Sequence, residues 1–167
     1  MEVSLALAGL KSSDPAARAA AAEELAHLED AAQPAAVALV GATADQDESV
    51  RQWATAALES LGPPAVGDVA ELAKLLLDKR LDVAYWATTL LGRLESDAAA
   101  AVPQLTGALQ SHPETAVRER AAWALGQIGP AAAAAVPALN AAVGDGPRLS
   151  RLAKESIQQI SAANERK

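Results

Sequence analysis

Val117-Arg118-Glu119-Arg120-Ala121-Ala122-Trp123-Ala124-Leu125-Gly126-Gln127-Ile128-Gly129-Pro130 places Val117, Ala121, Ala124, Leu125 and Ile128 at helical intervals. They form a single apolar stripe, so the segment predicts an amphipathic helix. Gly129-Pro130 closes it with a residue that tolerates positive φ and one that cannot continue a helix. A second helix follows, with Val136, Leu139 and Val143 as its stripe. Outward from here the arrangement recurs. Leu25, Leu58, Leu91 and Leu125 fall 33, 33 and 34 residues apart, and the second-helix leucines Leu39, Leu72, Leu105 and Leu139 keep the same spacing. A period of this size is the signature of a repeat array, in which a helix pair cannot bury both its stripes without neighbours.

The punctuation agrees. Asp14-Pro15 sets a capping side chain before a proline in the first helical turn, and Asp47 and Glu114 hold the matching places. Gly62-Pro63-Pro64 and Gly129-Pro130 end first helices, while Pro103 and Pro137 enter second helices and Pro34 sits just before one. Glu2 to Leu10 fits a lone second helix and Ser150 to Ile160 a lone first helix, for about ten helices in all. The reading is one domain over 1–167, with a half repeat at 1–12, units at 13–45, 46–78, 79–111 and 112–145, and a terminal half repeat at 146–163.

Composition narrows the function. Phenylalanine is absent and aromatics are 2%, so the core must be thin and the helices must approach through small side chains. Period-two runs of β-branched residues are missing, which excludes broad sheets. A net charge of −7 repels phosphate backbones and anionic lipid headgroups, so neither nucleic acid nor membrane is expected as a partner. There is no cysteine, hence no disulfide, thiolate metal site or cysteine nucleophile. Met1-Glu2 opens without a basic region or a long apolar run, and the expectation is a cytoplasmic protein.

The strings Val50-Arg51 through Ala57-Leu58 to Leu61-Gly62, and Val117-Arg118 through Ala121-Ala122-Trp123-Ala124-Leu125-Gly126-Gln127-Ile128-Gly129, resemble the short HEAT-like repeats of phycobilin lyases. The resemblance implies an all-α fold, a right-handed α-solenoid of antiparallel pairs with first helices convex and second helices concave. It also implies a ladder of acid and arginine four apart: Asp14 with Arg18, Asp47 with Arg51, Glu114 with Arg118. The third unit departs, with Arg80 and Ala84 at those places, and so does the last, with Gly146 and Ser150.

Two surfaces are candidates for binding. Trp53 and Trp86 share a repeat position at the edge of the stripe, where a ring fills the groove between helices. Tyr85 and Trp123 lie off the stripe, either as binding anchors or packed on the adjacent first helix. The ridge of second-helix positions comprises Ala38, Gly41 and Ala42; Glu71, Lys74 and Leu75; Gln104, Gly107 and Ala108; and Ala138, Ala141 and Ala142. It is bare enough for a partner segment to approach closely, or it is merely alanine of high helix propensity. His27 and His112 have no metal-site spacing, and Asp45, Asp47 and Glu48 read as capping and solvation, not as a calcium loop. No nucleophile elbow or phosphate cradle appears, and no cofactor is expected.

The expected function is therefore a non-catalytic scaffold for another protein or a peptide segment, with Tyr85, Trp123, Glu71, Lys74, Gln104, Gly107 and Ala141 as the binding candidates. One alternative is an enzyme subunit on similar helices, a bilin lyase or an alkylpurine DNA glycosylase; the latter wants a basic groove that this chain lacks. The other is self-association through solenoid ends, where Val3, Leu5 and Leu7 leave the first helix partly apolar.

Overall fold

A computed structural model describes residues 3–162, and all regular structure among them is helical. The helices are α1 (Val3–Gly9), α2 (Pro15–His27), α3 (Ala36–Ala42), α4 (Glu48–Ser60), α5 (Val69–Leu75), α6 (Leu81–Arg93), α7 (Val102–Ser111), α8 (Thr115–Ile128), α9 (Val136–Ala142) and α10 (Pro147–Ala162). The chain divides into two compact units, one ending at Ala65 and one beginning at Val66, so the division falls in the link inside the second predicted repeat. Met1, Glu2 and Ala163 of the predicted end units lie outside the described residues.

In the first unit α2 packs on both α1 and α4, and α3 packs on α4. Leu25, Leu39, Val40, Val50 and Leu58 are fully buried there. In the second unit the first helices form the row α6, α8, α10, and α5, α7 and α9 each lean on the first helix that follows them. Leu72, Leu90, Leu91, Leu105, Leu125 and Leu139 close this core. Every leucine of the recurrent set is thus buried, as the period requires.

The links explain why alanine dominates. Three of them are seven-residue 3-10 turns, Glu29–Ala35, Glu95–Ala101 and Gly129–Ala135. Each turns two alanines fully inward: Ala32 and Ala35, Ala98 and Ala101, Ala132 and Ala135. The second link forms only a short 3-10 turn, Val66–Asp68, because Pro63 and Pro64 remove amide donors and Asp68 stands where the others bury a methyl group. In the first unit Asp30 accepts from the amide of Gly62 at 2.9 Å, and the Gln33 amide donates to the Pro63 carbonyl at 3.0 Å.

At the residue that closes each first helix the backbone turns to positive φ in three of the four cases: Glu29 (49°), Glu95 (51°) and Gly129 (72°). Gly62 does not, contrary to its expected role; the preceding Leu61 is already extended, and that ends α4 without a left-handed residue.

A second repeated device precedes each first helix. Ser12 accepts from the amide of Asp14 at 3.1 Å, Asp45 from that of Asp47 at 2.9 Å, Asp78 from that of Arg80 at 2.9 Å, and His112 Nδ1 from that of Glu114 at 3.1 Å. Three side-chain chemistries thus satisfy one backbone donor, and this accounts for a histidine that is 6% exposed. Asp14 and Asp47 then cap α2 and α4 through the amides of Ala16 and of Ser49 and Val50.

Thr115–Ala142 is long and apolar enough by composition to cross a membrane, but half of its most apolar window is buried. Its large apolar side chains, Val117, Leu125, Ile128 and Leu139, belong to the core, and the turn at Gly129 splits it into two helices.

The positive-φ position predicts substitutions of opposite sign. Gly129→Ala, with open space for the methyl group but a backbone that disfavours it, should destabilise by about 1–3 kcal/mol. Glu95→Gly should stabilise by up to about 1 kcal/mol as the left-handed strain is relieved. Urea titration of both variants checks this.

Candidate functional site

The second-helix side of the second unit carries an apolar groove between α5 and α7. Val66, Val69, Ala70, Ala73 and Leu77 form its walls, and Lys74, Ala100 and Gln104 its rim. Leu77 and Val66 are 69% and 56% exposed, unusual for large apolar side chains. α7 and α9 carry no charged residue, and α5 carries only Glu71 and Lys74, which pair with each other at 2.6 Å. The field over the groove is therefore nearly neutral.

Of the candidates read from sequence, Lys74 and Gln104 meet at this groove. Glu71 stands beside it, exposed and tied to Lys74. Gly107 is half-buried with open space over its Cα, and Ala141 lines a separate shallow hollow with Gln110, Arg118 and Asp145. Ala108, Ala138 and Ala142 are buried and do not form an open ridge, though Ala138 and Ala142 line the floor of the hollow that Ala141 also lines. Val66 and Leu77 escaped the sequence reading. The signal was present in Leu75-Leu76-Leu77, where a helical stripe accommodates fewer than three consecutive leucines.

The first-helix side of the same unit carries an aromatic and cationic pocket. The Arg120 guanidinium carbon lies 4.7 Å from the Tyr85 ring centroid and 4.9 Å from that of Trp123, and Arg120 also donates to the Tyr85 hydroxyl. Ala116, Glu119, Arg148 and Leu152 complete the lining, with Arg148 paired to Glu119 at 3.2 Å. Tyr85 meets Trp86 edge-on at 5.9 Å, and Arg93 lies 5.8 Å from the Trp86 ring centroid. Burial, and then the charge of Arg120, lower the pKa of Arg93. Both Tyr85 and Trp123 are half-buried, and Trp123 lies over Gly92 of α6. Trp123 is therefore packed on the adjacent first helix, not standing free, and together with Tyr85 it frames the arginine. The arginines were not singled out from sequence, since Arg120 and Tyr85 are 35 residues apart and only the repeat stacks them.

In the first unit Trp53, expected in the core, is half-buried beside His27 at 5.9 Å, whereas Trp86 at the same repeat position is 9% exposed. One side of Trp53 opens on a hollow lined by Asp14, Glu23 and Asp47, so this surface is acidic.

The acid–arginine ladder differs from the one implied. Asp14 and Asp47 turn their carboxylates to the amides of their own first turns, not to the arginine four residues on. Arg18 pairs instead with Asp45, 27 residues later, through two 2.8 Å bonds, and Arg118 pairs with Asp145, also 27 later. Arg18 and Arg51 also hold the loop before their own helix, and Arg118 holds the last turns of α7. Arg18 donates to the carbonyls of Ser12 and Ser13, Arg51 to those of Asp45 and Gln46, and Arg118 to that of Leu109. Hydrogen bonding to Arg18 lowers the Asp45 pKa against a smaller opposing effect of burial. In the third repeat Arg80 binds Asp78 at 2.6 Å and holds its carboxyl down to about 2. No cluster of three potential metal-ligating side chains occurs among the described residues.

With this geometry in place, the comparisons are specific about family. The pattern that describes HEAT repeats matches residues 3–88 and again residues 69–159. A comparison with curated protein sequences finds no match. Among solved structures, the complex of CpcE and CpcF of phycocyanin lyase from Nostoc sp. PCC7120 is similar at 26% identity and a TM-score of 0.68, over 97% of this chain and 66% of that one. An engineered protein is similar at 22% identity and a TM-score of 0.68, over 96% of this chain and 79% of that one. A designed armadillo repeat protein in complex with the peptide (KR)4 follows at 17% identity and a TM-score of 0.65, over 98% and 88%.

Two outcomes follow from these contacts. A Cβ on Gly92 would lie under 3.0 Å from the Trp123 ring, so Gly92→Ala should destabilise by about 1–3 kcal/mol and shift the tryptophan emission. Asp78 is lowered from an ordinary value near 3.9 to about 2. Its contribution is present in full above about pH 4 and is lost as the pH falls through 2. The stability gap between wild type and Asp78→Asn should narrow over that window in acid titrations followed by circular dichroism.

Proposed function

We propose, on the premise that this chain belongs to the HEAT repeat family, that it is a non-catalytic interaction scaffold whose groove between α5 and α7 receives an apolar segment of a partner protein. One observation carries the reading: Leu77 and Val66, two of the four exposed large apolar side chains among the described residues, line the same groove, whereas Leu5 and Leu81 lie elsewhere in the chain. The walls are small, Ala70 and Ala73, so a backbone can come close, and the rim residues Lys74 and Gln104 supply donors to fix its direction. A repeat protein of similar fold holds a peptide in its solved structure, which is the mode of engagement proposed here.

A second reading, a subunit of a bilin lyase, is favoured by the 26% identity to the phycocyanin lyase complex over 97% of this chain. It requires a tetrapyrrole to bind. Titrating a bilin into the protein, alone and with candidate partner subunits, and finding no change in the visible absorption would dismiss it.

The scaffold reading is checked by capture from the native lysate with wild type, Leu77→Lys and Gln104→Arg. A specific partner should be retained by wild type, with affinity about tenfold weaker for Leu77→Lys. Capture of nothing by any form, or of the same proteins by all three, rejects the groove.

A further inference from the structure

The pocket framed by Tyr85 and Trp123 lies on first helices and plays no part in the groove. Its chemistry is opposite to that of the chain around it. The protein carries a net charge of −7, yet Arg120 and Arg148 line one pocket and Arg93 stands close enough to feel the charge of Arg120. Holding cations together opposes their mutual repulsion, and partial burial of Arg93 adds a desolvation cost. Ion pairing does not account for Arg120, which is met by two aromatic rings and by the Tyr85 hydroxyl, all uncharged. Stacking fixes the plane of the guanidinium and leaves the N–H groups not given to the Tyr85 hydroxyl for a planar anion. Arg148 adds a second cation, its side chain 71% exposed and paired with Glu119.

We propose that this pocket docks an acidic protein segment. A carboxylate of the segment takes the guanidinium edges of Arg120 and Arg148, and a neighbouring apolar side chain rests on Trp123 and Leu152. A volume of about 210 Å³ suits one or two side chains and not a folded surface. Nucleic acid and anionic lipid fit less well, because the net charge repels an extended array of phosphates and Glu119 sits in the lining. A single carboxylate avoids the first penalty and meets the second at one arginine only, because Glu119 pairs with Arg148 and not with Arg120.

Selection from a random peptide library displayed on phage tests this, with wild type as bait and Arg148→Glu as counter-bait. Arg148 is largely exposed, so the counter-bait should retain the fold, which circular dichroism checks. Peptides depleted by the counter-bait should be enriched in aspartate or glutamate beside an apolar residue. In fluorescence anisotropy they should bind at least tenfold more weakly to Arg148→Glu and to Arg120→Gln. Replacing their acidic residues by the corresponding amides should abolish binding, while Leu77→Lys should leave it within about twofold, which separates this site from the groove. The proposal is overturned if no selected peptide depends on Arg148, if the dependent peptides lack acidic residues, or if Arg120→Gln, shown to be folded, binds as wild type does.

Discussion

Close approach between helices is the constraint from which the rest of this architecture follows. Without phenylalanine and with few large aromatic rings, the chain fills its interior by bringing backbones together through alanine and glycine, with leucine and valine as the only regular bulk. The fully buried alanine pairs of the 3-10 turns and the seating of Trp123 over Gly92 are two forms of one solution. In both, a side chain of minimal size lets a neighbour fill the space, and dispersion contacts replace the bulk that aromatic rings would otherwise supply. Where the solution fails, the structure changes character. The link with Pro63, Pro64 and Asp68 cannot bury a methyl pair, and there the chain divides.

Much of the fold was legible because periodicity reports burial. Leucines at intervals of 33 or 34 had to face inward, and they do. Prolines at helix entries stand where a missing amide donor is harmless. The site was less legible, for a reason that Arg120 illustrates. Its partners Tyr85 and Trp123 belong to different repeats, and a stripe on one helical wheel cannot say which off-stripe residues the next repeat brings alongside. The ladder was misread for a related reason. Spacing by four places an acid and an arginine on one helical face, but a carboxylate at the cap position is already engaged by the first-turn amides, so the arginine finds its acid in the following loop. Leu77 was hidden differently, since three consecutive leucines satisfy any stripe and only the packing reveals which one is left outside.

The two faces of the second unit differ in chemistry. The second-helix side is mainly apolar, its Glu71 and Lys74 paired with each other; the first-helix side concentrates cations within an aromatic frame. The first unit presents neither, and its hollow around Trp53 is lined by carboxylates. A repeat fold allows such differences because its core positions are few and shared, which leaves the outward positions of each helix free to vary.

The interchangeable acceptors before the first helices bear on how such a chain can be rearranged. Ser12, Asp45, Asp78 and His112 do the same backbone task, but only the aspartates also neutralise an arginine: Asp45 faces Arg18 of the preceding repeat, and Asp78 faces Arg80, two residues on. The third repeat has alanine at position 84 where Arg18, Arg51 and Arg118 stand, and the acceptor that follows it is the histidine, so loss of the cation and loss of the anion occur together. Its order within the array is consequently not free. An arginine-bearing helix set before His112 would keep only its loop carbonyls, as Arg51 does, whereas setting Ala84 before Asp45 would remove the guanidinium that Asp45 faces. The array is a sentence whose words have grammatical gender, and a permutation that parts an agreeing pair is stacked at a cost.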